Sequence, residues 1–303
     1  MGTDTAVDVF EQHRPVLMGV AYRMLGGVAD AEDVVQEAWL RWSAADTGEV
    51  RSPRAYLVRV TTRLAIDRLR HVAARREAYV GPWLPEPLAT ELDRTVPDVA
   101  ERTVLADTVS LAVLVVLESL SPLERAVFVL REAFGLPYSE IAVTLERGEA
   151  AVRQLGARAR AHVAERRPRY EVDPAERREL TERFVAAAVE GDLAGLVGLL
   201  APDATLVGDS GGKAKGPLRV IEGADKVGRF VAAIAQQGAR GAELRFLELN
   251  GVASLLVLVA GAPDTVVQLE VSAGRVARVY VLRNPDKLTG LGGSAAAGEG
   301  GAG

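Results

Sequence analysis

Residues 149–160 carry four side chains that could read or grip a nucleic acid: Arg153, Gln154, Arg158 and Arg160. In a helix, these four positions lie away from the apolar residues Val152 and Leu155. Arginine and glutamine form paired hydrogen bonds with guanine and adenine edges in a DNA major groove. The pattern therefore favours a DNA-binding helix, and the alternative is a surface helix whose arginines are only solvated.

The residues before this segment predict the element that would position it. Ile141, Ala142 and Leu145 make one apolar helical stripe, and Glu146-Arg147-Gly148 separates it from the next helix. Gly148 can take either the positive φ or the N-cap position that a sharp bend between helices needs. Residues 137–160 therefore predict a helix–turn–helix.

The composition indicates a globular chain with more than one domain. Its 303 residues fit two or three domains, and hydrophobic and charged residues make up 49% and 25%. Cysteine is absent, which excludes disulfides and thiolate metal sites. No signal peptide or membrane-spanning run is recognisable. We expect a cytoplasmic protein with no membrane contact, no metal and no cofactor.

The net charge of −5 hides two basic segments. Residues 51–76 contain eight arginines and one aspartate, and residues 153–169 contain six arginines and one glutamate. Acidic stretches elsewhere would weaken indiscriminate DNA binding, as expected of a protein that needs a partner.

The first predicted unit, residues 7–78, is helical. Asp30 is the expected N-cap of a helix whose buried stripe contains Val35, Trp39 and Trp42. A second helix begins at Ser52-Pro53.

This second helix has an apolar side and a basic side, and the basic side contains Arg59, Arg63 and Arg70, with Ile66 among them. Arg68 falls near the apolar side. Either it pairs with Asp67 or the helical register is slightly shifted.

A proline-rich linker, residues 79–100, separates this unit from a second helical unit at 101–170. The linker contains Trp83-Leu84-Pro85-Glu86-Pro87-Leu88, which is too apolar for an inert spacer and predicts docking. Packing on the neighbouring helices is the alternative. Ser121-Pro122-Leu123-Glu124 predicts a helix start with a capping box in the second unit.

The third unit, residues 174–289, predicts an α+β domain. Helical stretches that begin at Asp173-Pro174 precede five strand-like runs between residues 204 and 281. Asn250-Gly251 and Ala273-Gly274 are hairpin turn signals. Residues 290–303, rich in glycine and alanine, predict a disordered tail.

Taken in order, these units resemble a bacterial sigma factor of the extracytoplasmic-function class. Residues 30–37 resemble the polymerase-binding helix of that class, residues 64–70 resemble its promoter −10 helix, and residues 121–160 resemble its −35-binding domain. The third unit resembles a SnoaL-like domain, a cone-shaped α+β fold of the nuclear-transport-factor-2 type.

The resemblance implies partners and roles for particular residues. Core RNA polymerase would bind Asp33, Gln36 and Glu37. Promoter DNA near −10 would bind Arg59, Arg63 and Arg70. At −35, Arg153 and Gln154 would read bases while Arg158 and Arg160 hold the backbone. The loop Asp46–Glu49 resembles the loop that captures a flipped-out promoter base, and a plain solvent loop is the alternative.

Three further motifs resemble the sigma-J-like subgroup, which carries a fused SnoaL-like domain. They are the linker motif Trp83–Leu88, the glycine-rich motif Asp209-Ser210-Gly211-Gly212-Lys213, in which Ser210 replaces a glycine, and the C-terminal motif Asn284-Pro285-Asp286-Lys287-Leu288. The resemblance implies that the third unit regulates the helical units within the same chain. An unidentified small ligand in the cone stays open.

Two other functions stay open from the sequence. SnoaL-like cones also house isomerases and cyclases, for which the third unit offers Asp203, Asp209, Glu222 and Glu270 as bases but no histidine. A ligand-responsive helix–turn–helix regulator would bind DNA without polymerase.

Overall fold

The computed structural model describes residues 2–46, 50–76, 79–89, 110–166, 173–238 and 241–291. These residues form two compact units. A helical unit contains the described residues up to 76 and from 111 to 166, and a second unit contains residues 79–89 together with the α+β segments from 173 onward.

The helical unit begins with three helices, α1 (Gly2–Leu25), α2 (Val28–Ser43) and α3 (Pro53–Arg76). The predicted stripe is confirmed for Val35 and Trp42, which are buried. The indole N–H of Trp42 donates to the carbonyl of Ala6 at 2.9 Å. Trp39 is half-buried and meets the ring of Phe10 edge-on at 5.1 Å. Aromatic packing therefore fixes α2 against α1.

Two expectations for α2 and α3 were wrong. The N-cap of α2 is Gly27, and Asp30 lies inside the first turn. Its carboxylate instead accepts from Arg68 Nε and Nη2 at 2.8 and 2.6 Å. Arg68 therefore pairs across helices, while Asp67 pairs with Arg70 at 3.0 Å. This cross-helix pair explains why an arginine stands near the apolar side of α3.

The helical unit continues with α4 (Leu111–Leu117), α5 (Pro122–Phe128), a π-helical turn (Val129–Ala133), α6 (Tyr138–Leu145) and α7 (Glu149–Arg166). The capping box is confirmed, since Ser121 and Glu124 bond each other's side chain and backbone at the start of α5. The predicted start of this region at residue 101 lies outside the described residues.

The helix–turn–helix is confirmed, with one difference at its turn. The residue with the positive φ is Glu146, at 53°. Gly148 takes the N-cap position, which was the other role predicted for it. The carbonyl of Gly148 accepts from the N–H of Val152 at 3.1 Å, as an N-cap does. A residue with a Cβ therefore stands where helices usually end with glycine.

The α+β domain combines α8 (Pro174–Glu190), α9 (Leu193–Leu199) and α10 (Ala224–Gly238) with a six-stranded sheet. The strands are β1 (Leu200–Asp209), β2 (Ile221–Glu222), β3 (Ala242–Leu249), β4 (Val252–Val259), β5 (Ala262–Ser272) and β6 (Arg275–Leu282). Helices and sheet share an apolar core that includes Phe184, Leu206 and Val279. The predicted α+β class is confirmed.

The sheet order is β2-β1-β6-β5-β4-β3. Strands β3 to β6 form an antiparallel meander, with positive φ at Asn250-Gly251 and Ala273-Gly274 as the hairpin signals indicated. Strand β1 lies parallel to β6, which hairpin signals alone do not reveal. This pairing brings the end of β1, at Asp209, beside the end of β6, at Leu282.

The start of the predicted disordered tail needs correction. Residues 289–291 continue a short helical turn, and Leu291 is buried. Apolar burial orders these residues despite their glycine-rich surroundings. Residues 292–303 lie outside the described residues.

Candidate nucleic-acid and regulatory sites

The outer face of α7 presents the four predicted −35 residues, and Arg153, Gln154, Arg158 and Arg160 are all exposed. Three of them rest on acids: Arg153 on Glu149, Arg158 on Glu124 and Arg160 on Glu132, at 2.5, 3.2 and 3.3 Å. Exposed ion pairs contribute little free energy, so phosphate or base groups can replace these acids.

Tyr138, at the start of α6, organises this basic face. Its ring lies 5.0 Å from the guanidinium carbons of both Arg131 and Arg153. Its hydroxyl bonds Arg160 at 2.5 Å. The sequence interpretation missed this residue, although an aromatic at a helix start beside an arginine-rich helix is a usable signal.

The three predicted −10 arginines of α3 have different surroundings. Arg59 lies over the ring of Tyr56 at 5.5 Å, and Arg70 pairs with Asp67 on the surface. Arg63 is held by the helix–turn–helix: its Nε donates to the carbonyl of Thr144 at 2.9 Å, and Nη2 pairs with Glu146 at 2.9 Å. Ile66, expected among the arginines, is buried.

A cleft of about 930 Å³ lies where α3 and α6 meet within the helical unit. One wall carries Arg51, Arg54, Tyr56 and Arg59, and the other carries Ser139, Glu140 and Val143. Asp46, the first residue of the predicted base-capturing loop, also lines this cleft. Residues 47–49 of that loop lie outside the described residues.

The predicted polymerase-binding face of α2 is exposed. Asp33, Gln36 and Glu37 share it, with Asp33 paired to Arg68 and Glu37 to Arg41. Leu40 extends the same face and is 60% exposed. Single exposed apolar residues are common on protein surfaces, so Leu40 alone does not mark a docking site. The sequence interpretation did not single out Leu40.

All three subgroup motifs meet in the second unit around the carboxylate of Asp209, which is fully buried. Its Oδ1 accepts from the hydroxyl of Tyr79 and the N–H of Gly211 at 2.5 and 3.1 Å. Its Oδ2 accepts from the N–H of Leu84 and from Lys287 Nζ at 2.8 and 2.7 Å. We call this cluster, Tyr79, Leu84, Asp209, Asn284 and Lys287, the clasp.

Lys287 joins the two sides of the clasp. Its ammonium group also donates to the carbonyl of Leu84 at 2.6 Å. The same group lies over the rings of Trp83 and Tyr79 at 4.0 and 5.2 Å. One cation therefore binds a carboxylate of the α+β domain, a linker carbonyl and two linker aromatics.

The phenol of Tyr79 acts as both donor and acceptor. Burial, followed by the nearby carboxylate of Asp209, raises the pKa of Tyr79 well above its usual range. The hydroxyl therefore stays protonated and donates to Asp209, while it accepts from Asn284 Nδ2 at 2.8 Å.

The glycine-rich motif allows the linker to approach closely. Gly211 and Gly212 have φ of +57° and +72°. A Cβ at Gly211 would lie 2.6 Å from Asn284 Nδ2 and 2.9 Å from the hydroxyl of Tyr79. Ser210 is not among the positive-φ residues, so its replacement of the family's glycine needs no special backbone. Lys213 pairs with Asp286 on the surface.

The other end of the linker segment is also fastened to the α+β domain. The N–H of Leu88 donates to Asn250 Oδ1 at 3.0 Å, and the N–H of Asn250 donates to the carbonyl of Leu88 at 2.8 Å. Ala89 forms an antiparallel bridge with Leu249. Leu84, Pro85, Pro87 and Leu88 are buried. Residues 79–89 therefore pack on this domain; residues 90–100 of the predicted linker lie outside the described residues.

The candidate bases of the alternative enzyme do not gather in the domain. Asp203 and Glu222 are exposed, and Asp209 belongs to the clasp. Glu270 accepts from the hydroxyl of Tyr280 at 2.7 Å and pairs with Arg278. The core shared by helices and sheet is apolar. Within the described ranges no group of histidine and carboxylate side chains could hold a metal ion.

Comparison with known proteins identifies the class. Residues 9–76 match the family Sigma-70 region 2, and residues 110–163 match Sigma-70, region 4. No helix among the described residues is long and apolar enough to cross a membrane.

The similarity extends over nearly the whole chain. The ECF RNA polymerase sigma factor SigJ of Mycobacterium tuberculosis is 44% identical over 297 residues, which cover 94% of this chain and 93% of that protein. The probable ECF sigma factor SigI of the same organism is 36% identical over 292 residues, covering 95% and 96%. A crystal structure of the Mycobacterium tuberculosis SigJ matches with a TM-score of 0.75 at 41% identity, covering 94% of this chain and 98% of that one.

The chain therefore belongs to the extracytoplasmic-function sigma factors. Its helical unit contains the polymerase-binding and promoter-directing regions of that family, here called region 2 (α1 to α3) and region 4 (α4 to α7). It binds core RNA polymerase and directs promoter-specific transcription, and it carries a C-terminal α+β domain.

Proposed function

We propose that this sigma factor is controlled by its own α+β domain through the linker that this domain holds. The observation that carries the proposal is the clasp, in which Asp209 and Lys287 fasten residues 79–89 to the α+β domain. In the sequence, these residues come after region 2 and before region 4. Because the linker belongs to the same chain, its contacts with the α+β domain act at a high effective concentration.

The fastened segment, residues 79–89, lies much nearer in sequence to region 2 than to region 4. Only residues 77 and 78 lie between the end of α3 and Tyr79, whereas twenty residues, 90–109, lie between Ala89 and Ser110. We therefore expect release of the linker to affect region 2 more than region 4, because fewer residues of the sequence separate region 2 from the clasp. The clasp therefore sets how far the two regions can separate on a promoter.

Run-off transcription with core polymerase tests this control. We expect Lys287→Met to release the linker and change both polymerase affinity and promoter choice. Lys213→Met is the matched control, because Lys213 belongs to the same motif set but pairs with Asp286 on the surface. Equal behaviour of both variants and the wild type would refute control through the clasp.

In promoter recognition, Arg153 and Gln154 read −35 bases, while Arg158 and Arg160 hold the DNA backbone. Their common exposure on α7 supports this division. Arg153→Ala should change the rank order of promoters, since bidentate base contacts discriminate. Arg158→Ala should weaken all promoters alike. A binding series over mutated −35 elements in which neither variant changes rank order contradicts the assignment.

At the −10 element, Arg59, Arg63 and Arg70 contact phosphates. Arg59 and Tyr56 lie in the cleft with Asp46, where a separated base has an aromatic ring and hydrogen-bonding groups nearby. Permanganate footprinting of strand opening with Arg59→Ala tests this role. Opening at the wild-type level would contradict it.

Asp33, Gln36 and Glu37 bind core polymerase, with Leu40 as an apolar anchor. The exposure of all four on one face of α2 supports the assignment. Leu40→Ala should weaken co-elution with core polymerase, and Val189→Ala, at another exposed apolar position, should not. Since core polymerase works in the cytoplasm, we propose that location.

The α+β domain has no catalytic role in this proposal. Its apolar core and the dispersal of Asp203, Asp209, Glu222 and Glu270 support a structural and regulatory part. Promoter binding should require core polymerase, which distinguishes the chain from a regulator that acts alone.

A further inference from the structure

Within the helical unit, regions 2 and 4 each donate an arginine hydrogen bond to the other. Arg63 of α3 donates from Nε to the carbonyl of Thr144, the last residue but one of α6. Arg125 of α5 donates from Nη1 to the carbonyl of Met24, the last residue but one of α1, at 2.7 Å. Each region thus supplies a cation to a helix C-terminus of the other.

Helix C-termini attract cations for two reasons. Their last carbonyls have no partner inside the helix, and the aligned peptide dipoles leave partial negative charge there. An arginine donates a hydrogen bond to such a carbonyl and also brings a positive charge. Each contact therefore holds the two regions in one arrangement. Arg23 adds a third contact, with its guanidinium 5.4 Å from the ring centroid of Phe134.

The two arginines differ in burial. Arg125 has only 3% of its side chain exposed, and it also pairs with Glu118 at 2.8 Å. Burial lowers the pKa of Arg125 to about 9, which still leaves the guanidinium charged at neutral pH. Arg63 and Glu146 have 38% and 75% of their side chains exposed. Arg125 is therefore the fixed anchor, and Arg63 is the contact that can open.

Glu146 occupies a conformation that its side chain disfavours. Its φ and ψ are 53° and 48°, the left-handed region, at the C-cap of α6. Among the described residues, the other non-glycine residues with positive φ, Asn250, Ala260 and Ala273, each directly precede a glycine, whereas Glu146 precedes Arg147. A glycine would end the helix with less strain. The carboxylate of Glu146 reaches Arg63 at 2.9 Å.

We propose that this contact is an autoinhibitory latch that withholds Arg63 from promoter DNA. The inference rests on the proposed −10 role of Arg63. In the latched state, the guanidinium of Arg63 is bonded to the carbonyl of Thr144 and the carboxylate of Glu146. A promoter phosphate would have to displace these groups to bind it. Promoter DNA and the helix–turn–helix compete for one cation, so −10 binding and separation of regions 2 and 4 are coupled.

The latch predicts the size of the effect on DNA binding. If only a fraction of the chains is open, the apparent dissociation constant equals the intrinsic constant divided by that fraction. Removing one exposed ion pair should raise the open-to-closed ratio by about 2- to 5-fold. Holoenzyme affinity for promoter DNA should then tighten by up to about the same factor, although no DNA-contacting residue has changed.

Energy transfer between two dyes on the full-length chain tests the latch directly. The native chain has no cysteine, so Gln12→Cys and Ala164→Cys label exposed positions on regions 2 and 4 without competing sites. Glu146→Gln removes the charge, and Glu146→Gly also relieves the backbone strain. Asp8→Asn is the control, because Asp8 is an exposed carboxylate of α1 outside the cleft and the acid bonded to Arg63 within the described residues is Glu146.

We expect both Glu146 variants to lower the transfer efficiency and tighten promoter binding by about 2- to 5-fold, with no change for Asp8→Asn. Arg125→Lys, which keeps the charge but loses the planar fork, should lower transfer further. Unchanged transfer in both Glu146 variants would overturn the latch, as would opening without tighter binding. Failure of the wild type to support promoter-directed transcription would instead overturn the proposed function, whatever the transfer shows.

Discussion

The clasp in the second unit and the latch in the helical unit each pair a carboxylate with a side-chain cation. The pair of the clasp is buried, whereas the pair of the latch is exposed to water. In the clasp, the side chains of Asp209 and Lys287 are 0% and 11% exposed, and the carboxylate accepts four hydrogen bonds. In the latch, Glu146 and Arg63 face water. Removing one partner of a buried ion pair costs much free energy, because the remaining charge is buried without compensation. An exposed ion pair contributes little free energy and is readily replaced by contacts with water and salt ions. The difference makes the clasp a lasting attachment and the latch a reversible one.

The largest effect should come from removing the cation of the clasp. Lys287→Met leaves the Asp209 carboxylate buried with an uncompensated charge, which destabilises by about 3–5 kcal/mol. We expect the linker to detach and amide hydrogen exchange at Leu84 and Leu88 to accelerate. Hydrogen exchange measured by mass spectrometry over residues 79–89 gives this readout. Lys213→Met should leave exchange there unchanged, and protection retained in Lys287→Met would contradict a lasting attachment.

The next effect tests whether close approach matters as much as charge. Gly211→Ala combines a positive φ with a Cβ only 2.6 Å from Asn284 Nδ2, so we expect a loss of about 2–3 kcal/mol in linker attachment. Gly274→Ala is the matched control, because its φ is +70° but its nearest neighbour, Glu176 Oε1, is 4.0 Å away. It should show only the backbone strain, about 1–2 kcal/mol in the free energy of unfolding. Equal losses would mean that contact with Asn284 and Tyr79 is unimportant.

The clasp also shows how far sequence reasoning reaches. The motif residues Trp83–Leu88, Asp209–Lys213 and Asn284–Leu288 were predicted as one regulatory set, and the structure brings members of all three motifs together. The grouping depends on β1 lying parallel to β6, a long-range pairing that no local signal encodes. Tyr79 was missed because a lone tyrosine before a motif carries no pattern.

The helical unit was predicted well where periodicity and capping decide the structure. The α2 stripe, the capping box at Ser121 and the helix–turn–helix all follow from local spacing. The contacts of Arg63 and Arg68 do not, because each joins helices that are distant in sequence. Long side chains on a helix reach several neighbours, and only tertiary packing selects among them.

A smaller effect should follow from removing one hydroxyl of the clasp while keeping its ring. Tyr79→Phe removes the donor to Asp209 and the acceptor for Asn284, but the ring still lies against Lys287. A hydrogen bond to a charged group contributes about 1.5–3 kcal/mol, and the remaining three donors should offset part of the loss. We expect about 1–2 kcal/mol in the attachment of the linker, measured by the exchange rate at Leu84. Tyr56→Phe, in the helical unit, should leave that rate unchanged.

The smallest effect separates the two contacts by salt. Surface charges are screened within about 10 Å at 0.1 M ionic strength and about 3 Å at 1 M, whereas buried pairs are screened much less. Raising salt from 0.1 to 1 M should therefore lower energy transfer between regions 2 and 4 and leave exchange at Leu84 unchanged. Glu146→Gln should abolish most of this salt response while changing the free energy of unfolding by less than about 1 kcal/mol. A salt response that persists in Glu146→Gln would place the reversible contact on other charges of the helical unit. Because the carbonyls of Thr144 and Val143 keep accepting from Arg63 in that variant, the residual transfer reports what helix capping alone contributes.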